Sequence, residues 1–306
     1  MPNFFIAGAP KCGTTALRYY LMSHPRVFMS PVKEPGYWAE DLPGHREVRS
    51  RDDYLALFSA ATSDQTVVGE STATYLYSDI ALEAIRSFNP EVKVVAMFRN
   101  PVDQAHSFHA QMYYNGDEDE PDFRRAWELQ GARAAGRRIP RRCLDAKLLQ
   151  YREVAMFGRQ CERLFALFPR ENVHIILLED MAADPRGTYL KVLGFLGLED
   201  DGRVDFPRVN ESKVHKVQWL GAWMHHPPDW ALRLNSMVKR CLGVERTHIK
   251  HLFRTRRKRP PLPEDLRRRM ERDFAEDVSL LERLLGRKLN WFSPAGRGHE
   301  AASERR

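Results

Sequence analysis

The stretch Asn3 to Thr15, NFFIAGAPKCGTT, runs from a short apolar segment into a glycine-bounded turn and then into a helical pattern. Phe4 to Ala7 is a continuous apolar run, which predicts a buried strand of a parallel sheet. Behind the turn, Ala16, Leu17, Tyr20 and Leu21 fall at helical spacing and predict a helix over Thr15 to Met22. A strand, a glycine turn and a helix N-terminus in that order make a cradle for an anion. Small residues let backbone N–H groups point inward, and the helix presents its positive end. In the common phosphate-loop pattern G-x-x-x-x-G-K-[ST], lysine follows the second glycine and the next hydroxyl holds magnesium. Here Gly8 and Gly13 keep the spacing, Thr14 stands in the lysine's place, and Lys11 lies three residues after Gly8. The competing reading, glycines for close packing alone, leaves Lys11 and the paired threonines unexplained.

With 306 residues and 43% hydrophobic content, the chain is long enough for a full α/β core. One domain is expected over residues 1–293, with a helical, lid-like insertion at about 215–260 and a small, polar, disordered tail at 294–306. Cys12, Cys143, Cys161 and Cys241 are scattered, without metal-ligand spacing or the density of a disulfide framework, and read as reduced thiols. The first strand begins at residue 3 and leaves no room for a signal peptide. No later segment reaches 18 uninterrupted apolar residues, so a soluble, cytoplasmic protein without an integral membrane segment is expected. The formal charge of +7 suits a protein that handles anions. Seven lysines and arginines fall between Arg246 and Arg259, and Arg267 to Arg269 follow. Such runs read as solvated faces or nonspecific nucleic-acid patches, and without a helix-turn-helix, zinc or RNP motif no nucleic-acid partner is expected.

Strands and helices alternate along the chain, the pattern of a parallel sheet with crossover helices. Strands are predicted at Phe4 to Ala7, Val67 to Gly69, Val92 to Phe98 and Val173 to Leu178. Further helices are predicted at Asp79 to Phe88, Pro101 to Tyr114, Leu144 to Phe168, Pro185 to Leu196 and Pro263 to Leu285. Pro101 and Pro185 suit a first helical turn, with Asn100 and Asp184 as caps. The acidic, turn-rich stretch Asn115 to Pro121 reads as an exposed loop.

A second anion site is suggested by Phe98 to Ser107, FRNPVDQAHS. Arg99 follows a hydrophobic strand, at the end where open α/β sheets bind ligands, and Ser107 lies about two turns into the next helix. An arginine fork and a hydroxyl can grip a phosphate with charge-assisted hydrogen bonds.

Across most of its length the sequence resembles the sulfotransferases that use 3'-phosphoadenosine 5'-phosphosulfate (PAPS), in particular the bacterial and heparan-sulfate-type branch. The resemblance runs through FFIAGAPKCGTTALRYYLMSHPRV, KEPGYW, GESTATYL, RNPVDQAHS, LLEDMAADP, LGFLGL and LLGRKLNW. It implies an α/β fold with a phosphate-loop-like central parallel sheet flanked by helices. It also implies that Lys11, Cys12, Gly13, Thr14 and Thr15 hold the 5'-phosphosulfate and that Arg99 and Ser107 hold the 3'-phosphate. Arg257, Lys258 and Arg259, in RTRRKRPP before the last helix, complete that site. Transfer in this family needs no metal, so a magnesium-binding hydroxyl and a following acidic partner are dispensable. The product would be 3'-phosphoadenosine 5'-phosphate (PAP).

The acceptor needs a base. Glu34, in Ser30 to Trp38, matches the catalytic glutamate of a similar K-E-x-x-[FY]-[FW] segment in the heparan-sulfate branch; its other reading is a salt-bridged surface glutamate. Lys33 either assists the leaving group or pairs with Glu34. Tyr37, Trp38, His109 and Glu70 are candidate acceptor contacts, Glu70 being equally readable as a structural carboxylate. Where polysaccharide-modifying relatives read E-K-[ST]-P-x-Y, this chain reads Glu70-Ser-Thr-Ala-Thr-Tyr75, and the missing lysine argues against a heparan-like acceptor. Residues 218–243, with Trp219, Trp223, Trp230, His225 and His226, read as an acceptor lid, a membrane-interface segment or a packed helical hairpin. The leading expectation is a PAPS-dependent enzyme acting on a hydroxyl or amine of a small molecule, lipid or saccharide. The rivals are a phosphate-loop kinase, which needs magnesium and a lysine at position 14, and a noncatalytic anion-binding or membrane-surface protein.

Overall fold

The computed structural model describes residues 1–207 and 260–293, and the backbone of two short strands at Val214–His215 and Arg254–Thr255. The expected insertion, the Trp-rich stretch, Arg257 to Arg259 and the C-terminal tail lie otherwise outside the described residues. Five parallel strands form the central sheet: β1 (Phe4–Gly8), β2 (Val27–Met29), β3 (Val67–Ser71), β4 (Lys93–Phe98) and β5 (Val173–Leu177), in the order β2-β3-β1-β4-β5. β1 is central and every one of its residues is buried, as its uninterrupted apolar run requires. The chain builds the β3 side first and then crosses β1 to lay down β4, so strand order reverses beside β1. Ligands of open α/β sheets bind at such a reversal, outside the carboxyl ends of the strands. The turn after β1 and Arg99 after β4 both stand at that edge.

The described helices are α1 (Thr14–Leu21), α2 (Arg51–Ala56), α3 (Ala81–Phe88), α4 (Pro101–Asn115), α5 (Phe123–Ala134), α6 (Tyr151–Val154), α7 (Phe157–Leu167), α8 (Leu178–Ala183), α9 (Pro185–Leu196) and α10 (Glu264–Leu285). No described helix is long and apolar enough to cross a membrane. The expected caps are present: the Asn100 side chain accepts from the Val102 amide at 3.0 Å, and Asp184 from the Gly187 amide at 2.8 Å.

The single helix expected over Leu144 to Phe168 is instead a 3-10 turn at Ala146–Leu149, then α6, then α7. The chain leaves helical geometry at Gln150 and again at Met156. Gln160 donates to the carbonyls of Glu153 and Val154, each at 3.1 Å, which satisfies the acceptors freed by the second break. Asp277 of α10 accepts from the Gly158 and Arg159 amides at 2.7 and 3.0 Å and so caps α7. A side chain at Gly158 would collide with the Asp277 backbone. Tertiary packing thus decides where α7 starts.

Two compact units emerge: residues 1–105, 152–209 and 262–306, which hold the sheet, and residues 106–151 and 210–261. In the second unit the expected exposed loop at Asn115 to Pro121 turns inward at Asp117 and Glu118, both about 1% exposed. Arg133, itself buried, makes a two-pronged pair with Glu118 at 2.6 Å, and the Tyr151 hydroxyl donates to the same carboxylate at 2.6 Å. Acidic residues at a turn read as solvated only while their partner is out of view. The backbone strands β6 (Val214–His215) and β7 (Arg254–Thr255) pair antiparallel.

Candidate active site

The loop between β1 and α1 is built from within. The Ala9 amide donates to the Met97 carbonyl of β4 at 2.9 Å, and Gln104, fully buried on α4, donates to the Pro10 carbonyl at 3.0 Å. A Cβ at Gly8 would stand 2.7 Å from Leu76 Cβ and 2.8 Å from the Ala73 carbonyl, so only glycine lets the loop lie on the turn after β3. Lys11 and Gly13 adopt left-handed backbone, with φ of 65° and 93°. Gly13 occupies the N-cap of α1, and no side chain caps that helix. An α-helix leaves its first N–H groups without intrahelical partners, and here they stand in a loop bearing Lys11, Thr14 and Thr15. Thr14 is buried; Lys11, Gly13 and Thr15 are half-buried. This is the geometry of an anion cradle.

Arg99 lies beside it. The buried Cys12 thiol is pushed up by desolvation; the charge and backbone of Arg99 and the charge of Lys11 pull the other way, and Glu179 pushes it further up. Both expected cations thus act on the Cys12 thiol, at the neighbouring ends of the paired strands β1 and β4. Glu179, at the start of α8, accepts from the Asn100 amide at 3.1 Å, and the Asn100 side chain donates to the Trp291 carbonyl at 3.0 Å. Burial raises the Glu179 carboxyl, with the Asn100 amide and the Arg99 charge opposing. Sequence reasoning assigned no role to Gln104, Glu179 or Trp291. The first stood inside the quoted FRNPVDQAHS, five residues after Arg99, but its amide side chain carries no charge to mark it.

The turn carrying Glu34 sits against the end of β3. Its amides at 34, 36 and 38 reach respectively the Ser71 carbonyl at 2.9 Å, the Thr72 hydroxyl at 3.3 Å and the Tyr75 hydroxyl at 3.4 Å. β3 is in register with β1, Ile6 opposite Ser71, and the Thr72 and Leu76 amides donate to the Ile6 and Ala7 carbonyls. The Glu34 turn therefore adjoins the strand that delivers the anion loop. Glu34 is exposed, has φ of 60°, and accepts from Lys33 Nζ at 2.6 Å. Tyr37 stacks on Tyr54 with ring centres 4.4 Å apart, and Trp38 Nε1 donates to the Tyr54 hydroxyl at 2.9 Å.

Glu70 is fully buried. Its carboxylate accepts from the hydroxyls of Tyr54 at 2.8 Å, Thr72 at 2.8 Å and Tyr75 at 3.0 Å, so it faces protein hydroxyls rather than an open acceptor cavity. Burial raises its carboxyl to about 7, against the lowering effect of the three hydroxyls. Ser107 and His109 belong to the second unit, both buried on α4. His109 Nε2 bonds the Glu120 carbonyl at 2.9 Å, and desolvation lowers its pKa. Its ring packs against Phe123 and Tyr151, an interior position rather than a contact with solvent.

Residues 1–214 match the family described as "Sulfotransferase domain". Carbohydrate sulfotransferase 15 of Rattus norvegicus is 28% identical over 249 residues, covering 65% of this chain and 44% of that protein. Bifunctional heparan sulfate N-deacetylase/N-sulfotransferase 3 of Homo sapiens is 25% identical over 296 residues, covering 94% of this chain and 31% of that protein. The chain thus spans less than half the length of these curated relatives. A crystal structure of a sulfotransferase from Alicyclobacillus acidocaldarius superposes with a TM-score of 0.69 at 26% identity, covering 95% of this chain and 98% of that one. The altered phosphate loop, the parallel sheet and the family match agree: this chain belongs to the sulfotransferase domain family.

Proposed function

We propose that the protein moves the sulfuryl group of PAPS to a hydroxyl or amine, with a saccharide as the first acceptor class to test. The observation that carries this reading is the uncapped, glycine-started α1 beside Lys11, with Arg99 acting on the same loop. The named activities of the carbohydrate and heparan sulfate relatives support the acceptor class.

The residues present fit the donor. Lys11, Cys12, Gly13, Thr14 and Thr15 take its 5'-phosphosulfate on the loop and the α1 N-terminus. Arg99 takes its 3'-phosphate, and the resemblance adds Ser107, Arg257, Lys258 and Arg259 to that grip. Bound PAPS supplies an activated sulfuryl group. Glu34 accepts the proton of the attacking acceptor as the new bond to sulfur forms, a role worth about 10²–10⁴-fold in rate. Lys11 and the loop amides stabilise the electron pair left on the 5'-phosphate oxygen when its bond to sulfur breaks. One such donor is worth about 10²–10³-fold. Lys33, 2.6 Å from Glu34, orients that carboxylate. No residue in this scheme calls for a metal.

The test is transfer of label from 35S-PAPS to a desulfated, partly N-deacetylated glycosaminoglycan carrying free hydroxyls and amines, with EDTA present. Incorporation is expected, with loss of about 10²-fold or more in Lys11→Ala and in Glu34→Gln. No incorporation by the wild-type protein, or incorporation that requires magnesium, overturns the reading.

A further inference from the structure

We propose that Glu70 is a positioning residue for sulfuryl transfer: its buried carboxylate orients the hydroxyls from which the Pro35 to Trp38 turn hangs, and thereby fixes Glu34. This rests on the reading of Glu34 as the base. A hydroxyl that donates to a carboxylate turns its lone pairs elsewhere, and these hydroxyls turn theirs toward the turn. Thr72 donates to Glu70 at 2.8 Å and accepts from the Gly36 amide at 3.3 Å. Tyr75 donates to Glu70 at 3.0 Å and accepts from the Trp38 amide at 3.4 Å. Tyr54 donates to Glu70 at 2.8 Å and accepts from the Trp38 indole at 2.9 Å. One acceptor-only group thus sets the polarity of three relays that end on the same short turn. The Glu34 amide is held separately by the Ser71 carbonyl, next in sequence to Glu70.

The relay runs in this direction only while Glu70 is ionised. A protonated carboxyl must donate one hydrogen, which reverses one hydroxyl and takes a lone pair from the turn. The titratable groups that face Glu70 are Tyr54 and Tyr75, both kept neutral by burial, and burial of Glu70 itself raises its carboxyl to about 7.

Residue-resolved amide hydrogen exchange tests this without an acceptor. In Glu70→Ala, exchange at Gly36 and Trp38 is expected to rise about tenfold or more, with Glu34 following, while the β1 and β4 amides stay as in the wild type. PAP affinity, measured by calorimetry, is expected to stay within about twofold. In the wild type, protection of Gly36 and Trp38, corrected for intrinsic rate, weakens as pH falls through about 7; Glu70→Gln abolishes that dependence. With the glycosaminoglycan probe, Glu70→Gln lowers kcat about tenfold and leaves the KM for PAPS unchanged. If Glu70→Ala fails to fold, Glu70→Gln and Thr72→Val decide, the latter releasing Gly36 and sparing Trp38. Uniform loss of protection across the sheet, unchanged exchange in the turn, or a pH profile shared by wild type and Glu70→Gln overturns the proposal. Failure of wild-type PAP binding overturns the functional reading instead and leaves the exchange result to stand or fall separately.

Discussion

Glu70, in the sheet-bearing unit, and Glu118, in the other, are both buried carboxylates, and they are neutralised in opposite ways. Burial acts first on each and pushes its carboxyl up. At Glu118 the hydrogen bonds and charge of Arg133, with the Tyr151 hydroxyl and the Glu120 amide, overcome burial and hold it below the ordinary range. At Glu70 three neutral hydroxyls offset burial only in part, and the carboxyl rises to about 7. A carboxylate with a guanidinium partner is fixed in charge, which suits a structural hub. A carboxylate held by hydroxyls alone keeps a titration within reach of neutral pH, and this one adjoins the turn that carries Glu34.

The largest effect should come from breaking the charged hub. Arg133→Met leaves Glu118 buried and unpaired, and a loss of about 3–5 kcal/mol is expected by denaturant unfolding. A loss below about 1 kcal/mol would mean that Glu118 is neutral in the native protein.

Next comes the pH response, in which the two sites differ in sign. Glu70, raised in the fold, holds its proton in the native state where the unfolded chain has released it. Its contribution to stability is therefore full below about 4.5 and lost as pH rises toward about 7. Glu118, lowered in the fold, contributes above its unfolded value and loses that contribution as pH falls through its folded one. Denaturation midpoints against pH should show the fall between about 4.5 and 7 disappear in Glu70→Gln, while Glu118→Gln should flatten only the acid side. A wild-type midpoint that rises through the upper window unless Glu70 is replaced would reverse the assignment.

Tyr75→Phe removes one donor from Glu70 and one acceptor from Trp38, with an expected loss of about 1.5–3 kcal/mol by chemical denaturation. The smallest effect is set by an exposed carboxylate in a simpler role. Asp184→Ala removes the α9 cap at a cost of about 1 kcal/mol, and a loss as large as that of Tyr75→Phe would mean that burial is not what separates these sites.

The sheet was legible because its inner strands are short apolar runs that need no partner to be recognised, as at Phe4–Gly8 and Lys93–Phe98. β2 escaped notice because three residues carry no periodicity. α5 escaped because three arginines, a glutamate and a glutamine interrupt the apolar residues of FRRAWELQGARA, and burial is concentrated at Phe123, Ala126, Trp127 and Arg133. In the site, glycines, Lys11 and Arg99 were legible as types that bind anions. Gln104, Tyr54 and Tyr75 were not, because their importance lies in what they touch: a loop carbonyl in one case, a buried carboxylate in the others. The inward turn at Glu118 depends in the same way on Arg133, fifteen residues away.

Calorimetric titration with PAP in EDTA at low salt addresses the paired anion grips most directly. One site of micromolar affinity is expected, weakened by about tenfold or more in each of Lys11→Ala and Arg99→Ala. Absence of binding at about 1 mM PAP, or affinity indifferent to both substitutions, would contradict the assignment of the β1 and β4 strand ends to the nucleotide.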